Sequence, residues 1–274
     1  MDGKEVATRL GSRAERLTGV SALKTVKGRR ERQSFAFEGI TLLAEAAAGG
    51  FPIAELYATQ AVYDSEPLVR RLEADGTPVF LVDDLAVKRI SDVTTPSGLV
   101  AVAPTRFFLP RELFERGSPI LILADLNDPA NAGTLLRSAD AFGCAGVLFG
   151  RLGVDPYHPK VVRGSMGAIF RLALAVADPS IVQEAATRAG VRILGLAAGG
   201  APLHGERPAG RVALIVGHER GGLGRWQSIC ERLLAIPMSG PAESLSAAVA
   251  GSIALYEWAC QESLFRPKSQ DYRC

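Results

Sequence analysis

The sequence lacks any apolar run approaching the ~20 residues that a membrane-spanning helix requires. Its best candidate, Ile120 to Ala124, is cut by Asp125. It also lacks a Cys-x-x-Cys pair. The four cysteines (Cys144, Cys230, Cys260 and Cys274) are scattered, which predicts reduced packing residues in a cytoplasmic protein rather than a disulfide framework. No apolar segment follows the charged start Met1-Asp2-Gly3-Lys4-Glu5, so no secretory signal is predicted. His158, His204 and His218 have no ligand spacing, and His-Glu-x-x-His is absent, so no metal is predicted. A nicotinamide dehydrogenase would need Gly-x-Gly-x-x-Gly after its first strand, and the chain has none. Hydrolase signatures fail as well. Gly164-Ser165-Met-Gly167 is not Gly-x-Ser-x-Gly, and Ser21-Ala-Leu-Lys24 fits Ser-x-x-Lys only within a basic arm.

What is present describes a packed globular protein. The 274 residues are 47% hydrophobic and 22% charged, enough for one large or two ordinary domains and too apolar for wholesale disorder. The net charge of +2 conceals an asymmetry. Residues 1–32 hold nine basic and four acidic side chains, so they carry +5 and leave −3 for the remainder. Five of the nine lie between Lys24 and Arg32. Such a run reads either as a solvated face or mobile arm, or as a contact for phosphates, whose condensed counterions it would release.

The pattern divides the chain in two. Residues 1–105 alternate short helices (38–48, 67–74) with short strands (53–58, 79–82, 99–102). Residues 106–118 carry Pro110 and Gly117 among charges and two phenylalanines, Phe107 and Phe108, which predicts a linker. From residue 119 to 274 the alternation is cleaner. Strands are expected at 120–126, 147–149, 170–176, 191–196, 212–216 and 233–236, and helices at 130–142, 179–189 and 246–263. That rhythm predicts an α/β domain with a mainly parallel sheet, and ligands in such sheets collect at the carboxyl ends of the strands.

Three loops at those ends stand out. The first runs Asp125-Leu-Asn-Asp-Pro-Ala-Asn131-Ala-Gly133 into a helix that carries Arg137. Alone, Asn131 reads as a helix cap and Arg137 as a surface cation. The second is Gly217-His-Glu219-Arg-Gly221-Gly222-Leu223. The third is Pro237-Met-Ser-Gly240-Pro-Ala-Glu243-Ser244-Leu-Ser246, which opens the last helix with ordinary capping chemistry. Three such loops after three strands exceed what capping requires.

Together these loops resemble the SpoU-TrmH family of RNA ribose 2′-O-methyltransferases in the SPOUT superfamily. Asn131, Gly133, Arg137 and Ala139 match the first family motif, and Gly217, Glu219, Gly222 and Leu223 the second. Ile236, Pro237, Met238, Gly240, Ser244 and Leu245 match the third. Asp155 to Gly167 also resembles a family segment. One position departs: Ser246 stands where the family has Asn, offering one short hydroxyl in place of an amide donor and acceptor. The first half resembles, through Arg32 to Gly39, the ribosomal-protein-like RNA-binding domain of rRNA-modifying members.

This resemblance implies a C-terminal domain with a trefoil knot, a smaller N-terminal α/β RNA-binding domain, and a homodimer formed through the C-terminal domain. It implies S-adenosylmethionine bound at Gly217, Ile236 and Leu245, with Met238 and Ala197 beside them. Arg137 would be catalytic, with Asn131, Glu219, Ser244 and Ser246 ordering it and the ribose. Lys24, Lys27, Arg29, Arg30 and Arg163 are the candidates for RNA phosphates. The implied reaction is methylation of a ribose 2′-hydroxyl in large-subunit rRNA, with tRNA as the alternative substrate. A protein of another class, a non-catalytic RNA-binding or ribosome-assembly factor, would keep the fold and bind RNA without transferring a methyl group.

Overall fold

The computed structural model describes residues 7–204, 210–218, 221–241 and 244–261. They form two compact units, one drawn from residues up to Arg106 together with Asp155–Arg171, the other from Phe107–Val154 and from Leu172 onward.

In the first unit, strands β1 (Thr8–Arg9), β2 (Ser34–Glu38), β3 (Glu55–Ala58), β4 (Val79–Leu81) and β5 (Leu99–Pro104) form a mixed sheet in the order β1-β4-β3-β5-β2. Helices α1 (Glu15–Ala22), α2 (Val26–Arg32), α3 (Ile40–Ala48), α4 (Gln60–Ser65), α5 (Pro67–Ala74) and α6 (Asp84–Ile90) accompany it. Their starts are chemically marked. Thr25 accepts the Gly28 N–H at 3.0 Å and Asp83 the Ala86 N–H at 2.7 Å, satisfying donors that a helix end leaves free. The expected helix 38–48 starts two residues later, because Glu38 still belongs to β2. Strand alternation turns Phe35 and Phe37 to one side, where Phe35 meets Tyr157 at 4.4 Å and Phe37 meets Phe170 at 5.0 Å between ring centroids.

Tyr157 and Phe170 lie in the segment 155–171, which contains helix α9 (Pro159–Gly164). Sequence reasoning assigned this segment to the C-terminal domain; the structure groups it with the first unit. The Tyr157 hydroxyl donates to the Arg106 carbonyl and accepts the Arg106 N–H, each at 2.9 Å, and burial pushes its pKa up to about 12. Nothing in the local pattern of 155–171 could announce which sheet its aromatic residues would cover.

The basic stretch is not a mobile arm. It forms α2, and Arg29 turns inward to 2% exposure. Its Nε and Nη2 meet Asp155 Oδ2 at 2.8 and 2.7 Å, and Nη1 donates to the Leu23 carbonyl at 2.8 Å. Arg29 is therefore corrected from a phosphate ligand to a structural cation. Lys24 Nζ donates to the Arg89 carbonyl at 2.8 Å, and Arg163 pairs with Asp92 at 2.6 Å. Removing one partner of a buried ion pair costs about 3–5 kcal/mol, because the other charge stays behind in poor solvent. Arg29→Ala is accordingly expected to lower the melting temperature by several degrees. A thermal melt unchanged from wild type would contradict this role.

In the second unit, β6 (Ile120–Leu123), β7 (Gly146–Gly150), β8 (Ala173–Ala177), β9 (Val191–Pro202), β10 (Arg211–Val216) and β11 (Arg232–Ala235) form a six-stranded sheet ordered β11-β9-β10-β6-β7-β8, every pairing parallel. Near-continuous burial of β6, β7 and β10 suits strands covered on both faces. Its helices are α7 (Pro110–Arg116), α8 (Pro129–Ala141), α10 (Pro179–Arg188) and α11 (Ala247–Gln261). Helix α7 corrects the expected linker 106–118. Pro110 opens it, the Glu112 carboxylate accepts the Leu109 N–H at 2.9 Å, and Leu113 and Phe114 are buried in the core of this unit.

Candidate active site

A cavity of about 340 Å³ opens at the carboxyl ends of β9, β10 and β11, within the size range of small-molecule sites. Its first wall comes from an irregularity. Leu233 pairs with Gly195 but Leu234 pairs with Ala201, so residues 196–200 stand outside the ladder. Leu196, Ala197 and Ala198 from this excursion line the cavity.

The second wall is the glycine-rich turn after β10. His218 and Gly222 exchange both backbone hydrogen bonds, at 2.9 and 2.8 Å, closing a tight loop with Gly222 at φ +56°. Gly217 begins it. A Cβ there would overlap the Gly222 carbonyl and stand 2.9 Å from the Leu223 nitrogen, so only glycine fits. Glu219, expected to be catalytic, lies outside the described residues.

The remaining walls are Ile236 and Met238 after β11, Ser244 and Leu245 before α11, and the small Ala247 and Ala250 of that helix. Thus Gly217, Ile236, Leu245, Met238 and Ala197, the five residues singled out for a cofactor, meet around one space. Apolar side chains dominate the lining, with main-chain groups of the two loops between them, a donor set suited to a flat heterocycle rather than a metal.

Not every expected catalytic residue arrives there. Ser244 does. Ser246 instead accepts the Val249 N–H on its Oγ at 3.3 Å and caps α11, a task Ser performs as well as Asn. The helix carrying Asn131 is capped by Asp128, whose Oδ1 accepts the Ala130 N–H at 2.9 Å, so Asn131 is not its cap. Arg137 is exposed on α8 and does not line the cavity of its own chain. Helix α8 packs along α11, with Ser138 and Ser252 hydroxyls 2.7 Å apart. At Gly251 a Cβ would crowd Leu135 and approach Val216 to 3.1 Å, which shows how closely α8, α11 and β10 meet.

Sequence reasoning passed over one cluster. Asp125, in the left-handed region at φ +49°, accepts the Arg225 Nε–H at 2.8 Å, the Trp226 indole N–H at 2.9 Å and the Leu152 backbone N–H at 3.1 Å. Arg225 also pairs with Asp178 at 2.9 Å. Burial works against the Asp125 charge, but the hydrogen bonds from Arg225, Trp226 and Leu152 outweigh it and hold its carboxyl below the usual carboxylate range. Asp125 and Trp226 stand 101 positions apart, so no local motif could reveal the cluster.

With this geometry in view, comparison with known proteins is decisive. The model of the SpoU rRNA Methylase family matches residues 118–256. The chain belongs to that family.

A second model, the MRM3-like substrate binding domain, matches residues 15–101. Among SpoU relatives, the 23S rRNA (guanosine(2553)-2′-O)-methyltransferase RlmP of Bacillus subtilis is 30% identical over 239 residues, 85% of this chain and 92% of that protein. The 23S rRNA (uridine(2479)-2′-O)-methyltransferase of Streptomyces viridochromogenes is 29% identical over 284 residues, covering 92% and 91%. The solved structure of the SpoU methyltransferase AviRb from S. viridochromogenes, in complex with the cofactor AdoMet, superposes with a TM-score of 0.82 at 26% identity, covering 92% of this chain and 99% of that one. An AdoMet-bound rRNA methyltransferase from Sinorhizobium meliloti gives 0.83 at 26% identity, covering 95% and 99%.

Proposed function

We propose that this SpoU-family chain methylates a ribose 2′-hydroxyl of large-subunit rRNA, using S-adenosylmethionine. The observation that carries this reading is the single cavity around Gly217, Ile236, Leu245, Met238 and Ala197, in a chain whose SpoU relatives carry out that reaction on 23S rRNA. The cofactor supplies an electrophilic methyl group on a sulfonium. The protein supplies position and exclusion of water, which can account for much of the rate of an in-line displacement. Ala197, Leu245 and Ile236 would enclose the adenosine, and Gly217 admits close approach of the main chain. Ser244, at the cavity wall, would orient the ribose.

Arg137 would stabilise negative charge developing on the 2′-oxygen and hold a neighbouring phosphate. A guanidinium with a pKa above ~12 is a poor proton acceptor, so we assign it an electrostatic part rather than that of a base. Because Arg137 stands off its own cavity, we infer that it serves the cavity of a second copy. Support comes from the face around it. Val249, Ile253 and Tyr256 are exposed at helical spacing along α11, and Thr134 and Ala141 are exposed on the neighbouring α8. A row of exposed apolar side chains along α11 suits an isologous dimer. The trefoil knot belongs to the same reading; it agrees with β11 lying beyond β9 while α11 returns to β10 and α8.

For RNA phosphates, the exposed Lys27 and Arg30 of α2 remain as candidates after Arg29 is removed. Each phosphate contact to single-stranded RNA contributes roughly 0.7 to the slope of log K against log salt. Replacing both with Ala is expected to flatten that slope by about 1.4 without changing sequence preference. An unchanged slope in a binding titration would remove α2 from the RNA interface.

No helix among the described residues is long and apolar enough to cross a membrane, and we take the site of action to be the cytoplasm, where rRNA is assembled. The test is calorimetry with S-adenosylmethionine together with ribose-methylation mapping across rRNA and tRNA in a deletion strain. One missing mark in large-subunit rRNA supports the reading. Cofactor binding with every mark intact would favour a non-catalytic factor, and a lost tRNA mark would redirect the substrate.

A further inference from the structure

Resting on the methyltransferase reading above, we infer that Asp125 is a positioning residue for methyl transfer: with Arg225 and Trp226 it clamps the loop leading to Asn131 onto the segment that directly follows the glycine-rich turn walling the cofactor cavity. The inference follows from what the carboxylate joins.

Asp125 lies in the short loop between β6 and α8, six residues before Asn131 in the first turn of that helix. Both of its oxygens are engaged. Oδ2 takes the Arg225 Nε–H and the Trp226 indole N–H, while Oδ1 takes the Leu152 N–H. Arg225 and Trp226 follow within four residues of Gly222, which lines the cavity. Leu223, between them, is buried and lies where a Cβ on Gly195 would strike its side chain. The turn is thus closed on itself by the His218–Gly222 pair, and the residues that follow it, Arg225 and Trp226, are tied to Asp125.

The surroundings are shaped for this carboxylate. A Cβ on Gly150 would overlap Asp125 Oδ1 and approach the Trp226 ring to 2.9 Å. One on Gly153 would come within 2.8 Å of the Leu126 carbonyl. Val154 donates to that same carbonyl at 2.8 Å, so the turn after β7 is tied to the loop as well. Trp226 is 1% exposed and its N–H needs an acceptor, which Asp125 provides. Outside the clamp, Asp178 takes Arg225 at 2.9 Å and Arg151 at 2.8 Å, which keeps the cluster close to neutral. Charge-assisted bonds of this kind are stronger and more directional than neutral ones. A misplacement of one ångström in a positioning loop can cost on the order of 100-fold in rate.

Asp125→Asn is the informative variant, since Asn tolerates the left-handed conformation and nearly preserves shape while losing the charge. Arg225→Gln removes the other half of the pair at a part-exposed position, so it tests the clamp even if Asp125→Asn folds poorly. Asp178→Asn serves as a control that takes an equal charge from Arg225 without touching the loop to Asn131. For each, the S-adenosylmethionine dissociation constant, KM and kcat for methyl transfer, and the melting temperature are measured on the full-length protein. The expected result is a tenfold or greater rise in cofactor dissociation constant and KM for Asp125→Asn and Arg225→Gln, with a further fall in kcat for Asp125→Asn. Asp178→Asn should change by less than twofold.

Active wild type with unchanged constants in Asp125→Asn and Arg225→Gln, whatever their melting temperatures, would overturn the clamp and leave the methyltransferase reading standing. Equal losses in all three variants would also overturn it, assigning the effect to charge around Arg225 rather than to the tie. A wild-type protein that neither binds the cofactor nor transfers a methyl group would bring down the reading itself, and this inference with it.

Discussion

Arg137→Ala is expected to bind S-adenosylmethionine as tightly as the wild type and to lose methyl transfer by on the order of 100-fold or more, the usual scale for removing a charge-stabilising donor. The two halves of that expectation have separate origins. Arg137 does not line the cavity, and it is exposed, so its removal leaves the cofactor walls and the core untouched. What it would lose is the cation that the proposed function puts beside the 2′-oxygen. Calorimetry and a tritium-transfer assay read the two halves independently. If Arg137 acts across a dimer, mixing Arg137→Ala with a cavity-dead variant should restore activity, because the hybrid joins one intact Arg137 to one intact cavity. Full turnover by the single variant would refute the role. Silence of the mixture, with both variants folded, would refute its action across subunits.

The second large effect is expected at Gly217. In Gly217→Ala the new methyl group would collide with the Gly222 carbonyl, which is fixed by the reciprocal bonds of His218 and Gly222. Backbone cannot step aside as a flexible side-chain tip can, so the turn must open and the cavity wall must move. Cofactor affinity should fall at least tenfold, about 1.4 kcal/mol by the thermodynamic equivalence of binding ratios. Val216 and the strand before it remain paired to β6 and β9, so the melting temperature should shift little. Gly221→Ala, whose Cβ would meet only His218 at 3.8 Å, is the matched control and should bind normally. Equal affinities for the two variants would show that the turn does not form the cofactor wall.

How far the sequence carried this account depends on the range over which each feature is encoded. The parallel sheet was legible because strands such as Ile120–Leu123 and Arg211–Val216 are short apolar runs bounded by turn residues. Pro67–Ala74 was legible to the residue, since Pro67 starts it and Asp75-Gly76 ends it. Gly217, Ile236, Met238, Ser244 and Leu245 were legible through two of the three motifs, whereas only folding brings Ala197, which lies in no motif, to the same cavity. Other features were hidden because distant partners create them. Lys24 to Arg32 looked like a free cationic arm until Asp155, 126 residues beyond Arg29, turned the arginine inward. Phe35 and Phe37 owe their strand to antiparallel pairing with the distant β5, and their burial partners Tyr157 and Phe170 are more distant still in sequence. Ser246 looked like a departure in chemistry, yet its hydroxyl caps α11. Asp125 was legible only as the start of the first loop; its partners, Leu152 after β7 and Arg225 beyond the glycine-rich turn, were not.

The most direct test of the central claim is transfer of a tritiated methyl group from S-adenosylmethionine to deproteinised large-subunit rRNA from a deletion strain. The mark is located first, and the assay is repeated on a synthetic fragment carrying 2′-deoxyribose at that one nucleotide. The account expects a single labelled site in the rRNA and complete loss of label on the deoxy fragment. Label persisting on the deoxy fragment would place the methyl group on a base and contradict it.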